Sequence, residues 1–283
     1  MIDALKEHYS ILALCGCLNV SKSGYYRYQS RKKEADRNQK LRERIHELFL
    51  QFDGRYGYRR ICAELRRQDH LKVNHKKVYR LMSEMKLKAK IRRKRWPGPT
   101  MKKVMDPYIA ENILNQNFKA DSPNQKWVTD ITYITIGDKR NYLSAIMDLY
   151  NNEIIAYQIS DSLHTALVLD TVKEAVRRQK DVHASLILHS DRGTQYTSKD
   201  YRDLLDDLHV TPSMSRTGNC FDNACIESFF SQLKVEALYF YPIASMAEAQ
   251  KIIHEYISFY NHDRAQRKLN SLTPVEYRNQ AAA

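Results

Sequence analysis

Three acidic residues stand where an ordinary acid is out of place. Asp130 lies inside an apolar run, Trp127-Val128-Thr129-Asp130-Ile131-Thr132-Tyr133-Ile134, sharing one strand face with Val128, Thr132 and Ile134. Asp191 follows the apolar run Leu186-Ile187-Leu188, and Glu227 sits on an amphipathic segment, residues 223–237. A carboxylate on a buried strand costs several kcal/mol unless it is paired, protonated or metal-bound. The end of an apolar strand in an α/β sheet is where ligands bind. At 100° per residue, Glu227 and Lys234 lie roughly 100° and 80° round from Ile226, beside the stripe Ile226, Phe229, Phe230, Leu233 and Ala237. Both side chains therefore stand at the rim of a core. Oxygen donors without a Cys/His set suit Mg²⁺ or Mn²⁺ rather than zinc. Two such ions, held by Asp130, Asp191 and Glu227, serve in-line displacement at phosphorus. Lys234 is placed to hold the phosphate backbone of the same substrate. A solvated or salt-bridged acid is the plain alternative at each position taken singly.

The elements that must position these groups follow from periodicity. Residues 127–136, 141–149 and 153–160 read as three strands joined by the turn signals Gly137-Asp138 and Asn151-Asn152, hence antiparallel. Residues 165–180 form an amphipathic helix, 186–189 a short strand covered on both faces, 198–208 a helix and 210–214 a fifth strand. The order βββαβαβα predicts an α/β fold, a mixed sheet with helices on its faces.

The front half differs. Residues 1–105 hold 28 Lys/Arg against 10 Asp/Glu, while the whole chain of 283 residues holds 46 against 33, for a net charge of +13. The excess is thus confined to an N-terminal module, and a polyanion such as nucleic acid is its natural partner. A solvated basic face would carry the same charge. Residues 2–17 predict a helix, then a turn with Asn19 and Ser21, then a second short helix with Lys22, Tyr25, Arg27 and Tyr28. Residues 37–52 form a cleaner helix, Gly57 frees a bend, and a helix begins at Tyr58. Asn74 caps a third, residues 75–85, with Lys76, Lys77 and Arg80 outward, in the manner of a recognition helix. Lys86 to Lys103 is a charge run broken by Pro97-Gly98-Pro99. Its Arg92, Arg93, Lys94 and Arg95 are expected to lie along phosphates, where a plain tether is the alternative. Arg192 and Asn223 are further candidate DNA contacts; shaping the loop after Asp191, or orienting Glu227, is the alternative for each. The expected domains are a short helix-turn-helix segment 1–35, a helical DNA-binding domain 36–96, a basic linker 97–122, a catalytic core 123–240 and a helical tail 241–283.

Five scattered cysteines give no disulfide framework or zinc pair. No membrane span or secretory signal is recognisable, which predicts a reduced, cytoplasmic setting.

Three motifs resemble one known group. Trp127-Val128-Thr129-Asp130-Ile131-Thr132-Tyr133, His189-Ser190-Asp191-Arg192-Gly193-Thr194-Gln195-Tyr196 and Asp222-Asn223-Ala224-Cys225-Ile226-Glu227, followed by Lys234, resemble the retroviral-integrase-like (Asp-Asp-Glu) transposases. Thirty-five residues separate Asp191 from Glu227, the interval of that superfamily. Tyr260-Asn261, Leu272-Thr273-Pro274-Val275-Glu276-Tyr277 and Arg55-Tyr56-Gly57-Tyr58-Arg59-Arg60-Ile61 resemble the insertion sequence three family in its second-reading-frame product. Gln266 departs from that pattern where many members carry His. The resemblance implies an RNase H-like integrase core behind a helix-turn-helix region, with Asp130, Asp191 and Glu227 as catalytic metal ligands and Lys234 as a DNA contact. It implies cleavage at the ends of a bacterial insertion sequence to free a 3′-hydroxyl, and direct attack of that hydroxyl on another phosphodiester. The implied partners are the element's terminal inverted repeats, target DNA, an upstream-frame protein or fusion, and further copies of the chain. The implied place is the cytoplasm, on the nucleoid when DNA is bound.

Overall fold

A computed structural model describes residues 2–33, 37–90, 109–179, 185–216, 220–239 and 242–281. It divides into two compact units, Met1–Lys88 and Ala89–Ala283. The basic stretch with Arg92, Arg93, Lys94 and Arg95 lies outside the described residues.

The first unit is all helical: α1 (Ile2–Leu5), α2 (Ile11–Cys17), α3 (Lys22–Lys33), α4 (Gln39–Gln51), α5 (Tyr58–Asp69) and α6 (His75–Glu84). The single helix expected over residues 2–17 is two, because Ser10 caps a fresh start by accepting from the Ala13 N–H at 3.3 Å. Ser21 caps α3 through the Gly24 N–H at 3.0 Å, and Asn19 takes a left-handed turn with φ 53°. Helices α4 to α6 bury Ile45, Leu48, Ile61, Leu65, Val78 and Leu81 completely. The residue that needs glycine after α4 is Gly54, with φ 69°, not Gly57, which is an extended N-cap of α5. Asn74 caps α6 by accepting from the Lys76 N–H at 2.9 Å.

The second unit is built on five strands, β1 (Lys126–Ile136), β2 (Lys139–Asp148), β3 (Glu153–Ser160), β4 (Ile187–Ser190) and β5 (Thr211–Met214), in the order β3-β2-β1-β4-β5. The first three are antiparallel; β4 runs parallel to β1, and β5 parallel to β4. Helices α7 (Thr165–Arg178) and α8 (Lys199–Asp207) pack on one face with Trp127, Ile146, Leu188 and Tyr196. Helices α9 (Ala224–Leu233) and α10 (Met246–His262) cover the other, with Val128, Ile134 and Leu143. The mixed sheet between helical layers is the expected α/β architecture.

Two tail contacts fasten this second layer. Asn261 of α10 clasps Ile154 of β3 through both backbone groups, at 3.0 and 2.9 Å, beside a bulge in the β2–β3 ladder. At α11 (Pro274–Ala281), Thr273 and Glu276 form a reciprocal capping box, 3.2 and 2.9 Å, with Pro274 at the first helical position. No helix among the described residues is long and apolar enough to cross a membrane.

The expected helix over residues 223–237 departs from plan at its end. From Lys234 to Leu238 the chain widens into a π-helical turn. Glu236 is buried there, its carboxylate bound at 2.9 and 3.0 Å by the buried Arg264 guanidinium and at 2.9 Å by the Tyr256 hydroxyl. A buried pair tolerates loss of both partners far better than loss of one. Arg264→Met is expected to lower the urea unfolding free energy by about 3–5 kcal/mol. The double variant Glu236→Met with Arg264→Met should recover most of that loss.

Candidate active site

The β1–β4 register makes the first half of the site. Val128 pairs with His189, so two residues farther along, Asp130 and Asp191 occupy matching positions where the two strands part. Asp130 shares its face of β1 with Val128 and Ile134, the face that α9 covers. Asn223, just ahead of α9, is buried and donates to the Thr129 carbonyl at 3.0 Å. That bond fixes the start of α9 against β1 beside Asp130, and Glu227 follows one turn later.

Electrostatics show that the three carboxylates share one field. Burial pushes the Asp130 carboxyl well above the usual carboxylate range; the charges of Asp191 and Glu227 add to this, while the Ile131 N–H and Lys234 oppose it. Asp191 opens to solvent on one side, yet the protein around its carboxyl raises it, against a 2.8 Å bond from the Gly193 N–H. Glu227 is raised by partial burial and by Asp191. Among the described residues, no three His, Cys, Asp or Glu side chains stand close enough to form a ready-made metal cage. Asp130 feels the charge of both other carboxylates and Glu227 that of Asp191, while the three form no closed ligand set among the described residues.

Behind them lies a buried floor. Tyr196 is buried, its hydroxyl 3.3 Å from the Thr129 hydroxyl and its ring edge-on to Tyr201. His189 is buried between the hydroxyls of Ser213, 2.8 Å from Nδ1, and Ser215, 3.0 Å from Nε2. Burial lowers its pKa to about 4, so it is a neutral packing group.

The loop leading into α9 hangs on Asp222. Its carboxylate accepts from the Arg216 guanidinium at 2.9 and 3.1 Å, the Arg216 N–H at 2.9 Å, and the amides of Asn112 and Gln116 at 2.9 Å each. The Arg216 bonds hold it far below the usual carboxylate range. Asp222 stood in a recognised motif with no role assigned, because its amide partners lie more than a hundred residues away.

The other expected contacts divide. Lys234 directs its ammonium 4.4 Å from the Tyr133 ring centroid and acts on Asp130. Arg192 is half-buried and donates to the Ser215 carbonyl at 2.6 Å, which braces the loop after Asp191. Asn223, expected as a DNA contact, is instead enclosed, and its bond to Thr129 orients α9. Lys76, Lys77 and Arg80 are exposed on α6, with Arg80 3.7 Å from Glu84.

The description "Integrase core domain" matches residues 120–220 and, in a second part, 227–281; "HTH-like domain" matches residues 36–95. The InsK protein of insertion sequence element IS150 in Escherichia coli (strain K12) is 36% identical over 280 residues, 99% of this chain and 97% of its own. Transposase InsF of insertion sequence IS3A, from the same organism, is 33% identical over 287 residues, 100% of this chain and 98% of its own. The chain belongs to this family of insertion-sequence transposases. A solved HTLV-2 integrase catalytic core in complex with magnesium overlies 56% of the transposase and 98% of its own chain, with 10% identity and a TM-score of 0.43. The transposase is an integrase-type polynucleotidyl transferase, and its core has the mixed sheet with helices on both faces expected from the sequence.

Two tests follow from this geometry. A Cβ at Gly193 would stand 3.0 Å from Asp191 Oδ1. Gly193→Ala should leave the melting temperature nearly unchanged yet slow DNA cleavage roughly tenfold, since sub-ångström misplacement of a reacting group is that costly. His189 titrates at 6.5 unfolded and about 4 folded, so the unfolded chain binds the extra proton between those values. Stability is therefore lost as pH falls through that window, by about 2 kcal/mol between pH 7 and 5. In urea titrations, His189→Gln should show a correspondingly flatter dependence.

Proposed function

We propose that this transposase binds the ends of its insertion sequence and carries out cleavage and strand transfer there, with Asp130, Asp191 and Glu227 holding two Mg²⁺ or Mn²⁺ ions. The observation that supports this most is the β1–β4 register, which sets Asp130 and Asp191 at matching positions where the strands part, with the charges of Asp191 and Glu227 both acting on Asp130. Their charged forms oppose one another, and a divalent cation relieves that opposition. An oxygen-only donor set without a closed cage suits Mg²⁺, which takes one or two carboxylates, water and substrate phosphate. Such ions, when bound, activate the attacking oxygen and stabilise the leaving one at phosphorus.

The chain's own residues do the rest. Asn223 and Asp222 set the position of Glu227, and the Gly193 N–H sets the rotamer of Asp191. Lys234 offers its ammonium to the backbone of the reacting strand. Lys76, Lys77 and Arg80 on α6 contact the terminal repeats, where a recognition helix enters the major groove. Joining two ends calls for at least two copies of the chain on the DNA, in the cytoplasm and on the nucleoid. An upstream-frame protein or fusion is a further partner of this reading.

The test is a duplex carrying the element's end, incubated with Mg²⁺ and a target DNA. The expected result is a nicked 3′ end that then joins the target. Asp191→Asn should reduce both steps by more than the roughly 10–100-fold that loss of an outer-shell partner costs. Cut ends that never join would show a nuclease, and full activity in Asp191→Asn would remove the carboxylates from the chemistry.

A further inference from the structure

An exposed aromatic ring has two cations against it, one of them the Lys234 that also acts on Asp130. Tyr133 lies three residues past Asp130 on β1 and is 53% exposed. The Lys234 ammonium is 4.4 Å from its ring centroid and the Arg140 guanidinium 5.0 Å. Arg140 comes from β2, where it faces Thr135, two positions along the ladder from the Tyr133–Tyr142 pair. Lys139 and Arg140 are exposed beside the turn, with Asp138 as the acid nearest in sequence. On its other side, β1 pairs with β4 only over Lys126–Val128, so the strand runs on without that neighbour past Asp130 to Tyr133.

Cations gather over an aromatic face because its quadrupole is negative there. A ring left half in water is available for stacking, and phosphates seek the cations around it. Aromatic platforms within a basic groove are the general means of holding single nucleic-acid strands. We propose that Tyr133, Arg140 and Lys234 form a strand-holding subsite beside the reacting phosphate. The two cations take backbone phosphates, and the Tyr133 ring takes a base or sugar of a flanking nucleotide. This rests on the cleavage reading given above and adds Tyr133 and Arg140 to it.

The experiment uses the full chain and an end duplex with 2-aminopurine beside the cleaved bond. Wild type, Tyr133→Leu, Tyr133→Phe and Arg140→Gln are compared for cleavage, and the same changes are placed in Asp191→Asn for binding. Tyr133→Leu should raise KM roughly tenfold with a smaller change in kcat, and should lose the fluorescence quenching seen with Asp191→Asn alone. Tyr133→Phe, which keeps the ring, should behave as wild type. Arg140→Gln should lower the slope of log affinity against log salt by about 0.7–0.9, the loss of one phosphate contact. If wild type cuts while Tyr133→Leu and Arg140→Gln match it in KM, quenching and salt slope, the subsite is wrong. Altered oligomeric state by light scattering, with the DNA parameters intact, would overturn it and assign the patch to a second copy of the chain. Wild-type protein that neither cuts nor joins overturns the cleavage reading, and the subsite with it.

Discussion

The parallel register of β1 with β4 is the constraint on which the site depends. Only Lys126–Val128 pair with β4, so the strands part just before Asp130 and Asp191. A slip of one residue would turn Asp130 to the opposite face of the sheet, toward the layer of α7 and α8. Trp127, Ile146 and Leu188 fill that layer and Val128, Ile134 and Leu143 fill the other, so hydrophobic packing holds the register that the carboxylates need.

Helix α9 is fixed at both ends by polar contacts. At its start, Asn223 reaches Thr129 and Asp222 gathers Arg216, Asn112 and Gln116. At its end, Glu236 meets Arg264 and Tyr256 inside the core. Apolar contacts alone would let the helix slide, whereas directional bonds at the two termini set its rotation and height. Glu227 and Lys234 inherit their positions from those anchors.

Much of this was legible in the sequence. Alternation and turn residues disclosed the strands and the antiparallel run of the first three, since a period of two and a Gly-Asp turn are local signals. The carboxylates stood out because an acid in an apolar run needs a reason. What stayed hidden depends on partners distant in the chain. Nothing near Glu236 announces Arg264, and nothing near Asp222 announces Asn112. The burial of Asn223 was equally invisible, because an amide before a helix reads the same whether it faces water or a strand edge. The π turn at Lys234–Leu238 has no local signature either; it carries Glu236, whose partner Arg264 lies far along the chain.

The unequal lengths of β1 and β4 carry a cost of another kind. A strand that outruns its neighbour presents a free hydrogen-bonding border, the template on which foreign chains add and aggregates grow. Lysine and arginine along such a border ward off a second protein whose own rim is equally positive. Lys234 reaches β1 at Tyr133, past the last residue paired with β4, so the charge suited to welcoming a polyanion also opposes the docking of a second positive rim.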